Sequence, residues 1–148
     1  MCRAHATVRG LLYEMLAQTD GERWTVVDLE AGVEVMSRGT PKAVDALLIV
    51  VEPYYRALEL GRRLAELGQE LGIPRVWWIA NKLRAPEEER LIRTYADAHR
   101  LTLIATLPFD EAVSHAEREG RALIQIAPDA PFLSAMAGCA DRLLTGTA

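Results

Sequence analysis

Short apolar runs alternate along this chain with amphipathic stretches of helical length, and this alternation restricts the available folds more than any other feature. The runs are WTVV at residues 24–27, ALLIVV at Ala46–Val51, VWWIA at 76–80 and LTLIATL at 101–107. They are near-continuous rather than alternating apolar and polar, the pattern of strands covered on both faces. Between them lie predicted helices. The clearest spans 55–71, with Leu58, Leu60, Leu64, Leu67 and Leu71 in one stripe and Arg62, Arg63, Glu66 and Glu70 outside it. Gly72 ends it and Pro74 blocks continuation. Pro86 opens a helix over 86–99, with three glutamates in its first turns where the helix dipole favours them. Further helices are predicted over 110–119, ended by Gly120, and over 132–144 after a loop at 128–131. Leu11, Leu12, Met15 and Leu16 mark an upstream helix over 4–18, and Pro41 opens a short one reaching Val44. Strand, helix, strand in succession predicts an α/β fold of three layers, a parallel sheet with helices on both faces.

The chain has 148 residues, enough for one domain with a substantial core, and residues 1–148 read as a single domain without linker or repeat. Its net charge of −4 argues against a nucleic-acid or anionic-membrane surface. No apolar run approaches the roughly 20 residues of a transmembrane helix, and the start MCRAHATVRG does not read as a signal peptide. Cys2 and Cys139 are too isolated to suggest a disulfide framework, so a cytoplasmic location is the expectation.

Polar residues collect where three of the strands end: Asp28 and Glu30, Asn81 and Lys82, and Asp110. In a parallel sheet these ends share one edge, the edge where open α/β sheets bind ligands. An Asp there can hold magnesium through water, and a glycine such as Gly32 lets the backbone approach a phosphate. The plainer reading of each is a strand-end turn. Cys2 and His5 could form a ligand pair on one helical turn or lie in a frayed terminus. Trp77 and Trp78 point to opposite faces of their strand and read as core, and Cys139 on the last helix reads as a small core or surface residue. His99 ends a helix and His115 faces solvent, so neither reads as catalytic. No nucleophile elbow or Ser/His/Asp arrangement supports a free-standing hydrolase.

Four stretches carry a family resemblance: VVDLEAGVEVMSRGT, VDALLIVVEPYYRALELGRRLAELGQELGI, the strand ending in Asn81-Lys82, and LPFDEAVSHAEREGRAL. In this order they resemble the C-terminal two-thirds of the nucleotide-binding domain of MinD/ParA-type deviant P-loop ATPases, in particular the CooC-type nickel-maturation ATPases of carbon monoxide dehydrogenase. The resemblance implies an ATP-dependent metallochaperone or maturation factor, a homodimer that inserts nickel into a client metalloenzyme. It places Asp28 as the acid that holds Mg2+ through water, Glu30 beside it in the switch loop, and Gly32 as the γ-phosphate sensor. It places Asn81, with Lys82, at the adenine edge, and Pro108, Phe109 and Asp110 around the base. Cys2 matches the second cysteine of a Cys-x-Cys pair that holds Ni2+ or Zn2+ across the dimer interface. The family's phosphate loop has no counterpart, since no G-x-x-x-x-G-K-[ST] pattern occurs in the chain. The expectation is therefore a fragment, inactive as an ATPase by itself. Two other readings stand beside this one: a partner-regulating MinD/ParA-like ATPase without a metal role, and a non-catalytic interaction domain.

Overall fold

The computed structural model describes residues 24–29 and 44–146. Three parallel strands form the sheet of the described residues: β1 (Ala46–Val51), β2 (Arg75–Leu83) and β3 (Thr102–Pro108), in the order β1-β2-β3. Helix α1 (Tyr55–Glu70) joins β1 to β2, and α2 (Pro86–Ala98) joins β2 to β3. Then come α3 (Glu111–Glu119), a single turn α4 (Leu123–Ile126) and α5 (Pro131–Thr145). The α/β architecture is the predicted one, with helices on both faces of a parallel sheet. The short α4 carries too little periodicity to be legible in the sequence.

Adjacent residues of β2 build opposite halves of the core, because strand side chains alternate between faces. Trp78 and Ala80 pack with Leu58 and Ala65 of α1 and with Ile92 and Ala96 of α2. Trp77 and Ile79 pack on the other face with Ile104, Leu107 and Cys139 of α5. Both tryptophans are core residues, at 7% and 0% exposure. α1 reaches its sheet face closely at Gly61, where an added Cβ would lie 2.6 Å from Val51 Cγ1 and 3.0 Å from Trp78 Cζ2.

Two irregularities in the β2–β3 ladder matter. Trp78 pairs with Leu103 but Ile79 with Ala105, so Ile104 is an extra residue on β3. The Arg142 guanidinium of α5 donates to the Ile104 carbonyl, supplying a partner at the irregularity. Farther on, Ala80 pairs with Thr106 and Leu83 with Pro108, which leaves one extra residue on β2 at Asn81-Lys82.

Two expectations need correction. Residues 24–29 form no regular structure, and Trp24 and Val26 are 67% and 91% exposed. An apolar run becomes a buried strand only with a neighbouring strand to complete its hydrogen-bond ladder, and the described sheet gives this segment none. Strand β1 is covered on one face only: Ile49 and Val51 are buried beneath α1, whereas Leu48 and Val50 are exposed. Helix α5 packs chiefly on β3 and leaves that side of β1 uncovered among the described residues. The predicted helices over 4–18 and from Pro41 lie outside the described residues.

Candidate functional site

The carboxyl ends of the three strands bring Glu52, Asn81, Lys82, Pro108, Phe109 and Asp110 to one edge of the sheet. The bulge in β2 sets the geometry. Lys82 takes a left-handed conformation with φ 58°, uncommon for a side-chain-bearing residue. Its backbone N–H donates to Asn81 Oδ1 at 2.9 Å, and its ammonium donates to Glu52 Oε1 at 2.6 Å. The carboxylate of Glu52 holds the Lys82 pKa above the ordinary lysine value, through the hydrogen bond first and charge second. With its Oδ1 occupied in this way, Asn81 keeps its amide N–H groups for another acceptor.

Past the bulge, the Phe109 N–H donates to the Leu83 carbonyl at 2.8 Å, so β2 and the end of β3 remain tied beyond the regular ladder. Arg84 lays its guanidinium over the Phe109 ring, with Cζ 3.4 Å from the centroid. Helix α2 begins immediately after. Its N-cap, Ala85, has no side-chain acceptor, and Glu88 compensates by accepting from the Arg84 N–H at 2.6 Å and the Ala85 N–H at 3.4 Å.

Asp110 serves two helices. Its carboxylate accepts from the Ala112 N–H at 2.9 Å, capping α3, and from the Phe132 N–H at 3.3 Å in the first turn of α5. Asp110 therefore shapes the edge, with both oxygens engaged by backbone. Asp28 is exposed on the irregular segment 24–29. Glu30, Gly32 and Cys2 lie outside the described residues. Among the described residues no three His, Cys, Asp or Glu side chains are grouped to hold a metal ion.

Sequence reasoning missed Glu52 and Arg84. Glu52 had a signal, an acid directly after a buried parallel strand. Arg84 had none, since only the pairing of β2 with β3 brings it to Phe109. A concavity of about 620 Å³ lies between α1 and α2, lined by Tyr55, Leu58, Leu91, Thr94, Tyr95 and Ala98 with Glu87 and Arg90. Those two charged residues are paired with each other at 2.5 Å. Beside it, the Tyr95 hydroxyl donates to Glu59, which also binds Arg62. The tyrosine and then the arginine lower the Glu59 pKa, whereas burial raises that of Tyr95.

Comparison with known proteins adds a lineage to this geometry. The chain is 38% identical over 128 residues to the carbon monoxide dehydrogenase accessory protein CooC of Rhodospirillum rubrum, a match covering 86% of this chain and 47% of that protein. The chain is thus a homologue of this CooC protein over most of its own length. A second relative, an uncharacterized ATP-binding protein of Methanocaldococcus jannaschii, is 32% identical over 82% of this chain and 46% of its own length. The MinD-like fold is evident in solved structures. A chain of the MinC:MinD cell division protein complex of Aquifex aeolicus matches with a TM-score of 0.79 at 18% identity, over 95% of this chain and 59% of that one. The Pyrococcus furiosus cell division ATPase MinD matches with a TM-score of 0.74, also at 18% identity, over 93% and 58%. No protein-family model matches the chain. The chain spans about half the length of the curated relatives it matches.

Proposed function

We propose that the protein is an ATP-dependent maturation factor that serves carbon monoxide dehydrogenase or a similar metalloenzyme, acting as a cytoplasmic homodimer with nickel as its cargo. The observation that carries this reading is the 38% identity to a carbon monoxide dehydrogenase accessory protein over 86% of the chain. The bulged carboxyl edge supports it with a surface suited to a nucleotide base. Asn81 presents amide donors, Phe109 an aromatic ring and Pro108 an apolar wall, all half-buried. Lys82, held by Glu52, and Asp110, held by two helix starts, keep these three in place.

Bound ATP would supply a hydrolysable phosphoanhydride that separates two states of the protein. On this reading Asp28 holds Mg2+ through water, with Glu30 and Gly32 in the loop that answers the terminal phosphate. Cys2 takes Ni2+ or Zn2+ at the dimer interface.

The test is calorimetric titration with ATP and GTP in the presence of Mg2+, with equilibrium dialysis against Ni2+, on the protein, Asn81→Ala and Cys2→Ser. The expected result is ATP preferred over GTP, the preference lost in Asn81→Ala, and nickel binding lost only in Cys2→Ser. ATP binding without nickel binding favours a partner-regulating MinD/ParA-like ATPase. A cooperative fold indifferent to every nucleotide favours a non-catalytic interaction domain.

A further inference from the structure

We infer that Arg84 and Phe109 form a stacking clamp for the base: a planar ring enters against Phe109, and the Arg84 guanidinium closes over its outer face. This deepens the nucleotide reading above and rests on it. The first observation is the separation. At 3.4 Å from the Phe109 centroid, Arg84 Cζ sits at the stacking distance of two planar groups, well inside the roughly 6 Å limit of cation–π contacts. By comparison, Arg75 lies 5.7 Å from the Trp77 ring. The second is the asymmetry of the two partners. Phe109 is half-buried and its backbone is tied to Leu83, so the ring is a fixed floor. Arg84 is exposed, and its backbone N–H is pinned by Glu88 while no ion pair among the described residues holds its guanidinium. Lifting the guanidinium by one ring thickness exchanges its cation–π contact with Phe109 for one with the inserted base. The third is position, since the clamp stands at the end of the bulge that begins with Asn81, so edge and face recognition would come from one short segment.

Guanidinium and phenyl planes stack on any base, because every base has a π face. The clamp therefore supplies affinity, and the choice between adenine and guanine falls to Asn81. Arg84 contacts the base itself and has no part in the phosphate chemistry.

The experiment measures dissociation constants of ADP, GDP and inorganic tripolyphosphate for the protein, R84K and R84A. Both variants are expected to weaken ADP and GDP alike by about tenfold, the lower part of the range for stacking one base, and to leave tripolyphosphate unchanged. The Arg84 side-chain Nε–H resonance is expected to shift when adenosine is added to the unsubstituted protein. Full rescue by R84K, which keeps the charge and loses the plane, overturns the clamp. An equal loss for tripolyphosphate also overturns it, because Arg84 would then grip phosphate. ADP binding that is insensitive to R84A sinks the clamp and spares the nucleotide reading, whereas no ADP binding to the unsubstituted protein ends both.

Discussion

The Lys82 ammonium lies 2.6 Å from the Glu52 carboxylate and joins the carboxyl end of β2 to that of β1. The Lys82 pKa is raised above 10.5 by this partner. A raised lysine pKa stabilises the fold fully below the unfolded value and loses that contribution as pH rises through the folded value. The melting-temperature difference between the protein and Glu52→Gln should therefore be present at neutral pH and vanish at strongly alkaline pH. Both side chains are partly exposed, so high salt should shrink the difference. A difference that persists unchanged beyond the lysine titration would show that Glu52 acts through something other than Lys82.

Gly61→Ala should destabilise the protein even though alanine is the better helix former. The propensity gain is about 1 kcal/mol. Against it stands a Cβ placed 2.6 Å from Val51 Cγ1 and 3.0 Å from Trp78 Cζ2, both within the core, and overpacking of this kind costs about 1–3 kcal/mol. At Gly68 the nearest atom is Leu47 Cδ2 at 2.9 Å, the end of a flexible side chain. Gly68→Ala should be the milder change, and denaturant unfolding of the two variants checks the order.

Asp110→Ala should loosen two helices at once, since the carboxylate caps α3 and also meets the first turn of α5. The loss of the cap alone is worth about 1 kcal/mol. Asp110→Asn keeps one acceptor and should retain the cap of α3 while losing protection at the Phe132 amide. Hydrogen exchange at Ala112 and Phe132 reads the two sites separately.

Cys139 is 3% exposed, and burial pushes its thiol pKa above the ordinary value. In a Cys2→Ser background the native protein should react with a thiol reagent at pH 8 only as fast as it opens, and denaturant should release the thiol for immediate reaction. Rapid native labelling would contradict the packing of α5 on Trp77 and Ile104.

Local chemistry by itself determined the alternation of β1, α1, β2, α2 and β3, because continuous apolar runs, a leucine stripe, Pro86 and Gly120 each act within a few residues. It also placed Asn81, Lys82, Pro108 and Asp110 at one sheet edge, since parallel strands leave their carboxyl ends together. Tertiary structure alone decided the rest. The run at 24–27 has a strand's composition, yet backbone pairing is supplied by a neighbour and the described sheet supplies none. ALLIVV reads as buried on both faces, but α5 packs over β3 and leaves Leu48 and Val50 exposed. The stack of Arg84 on Phe109 joins residues 25 positions apart through a one-residue bulge. Shifting that register by one residue would turn Arg84 to the other face, and no local pattern specifies a bulge.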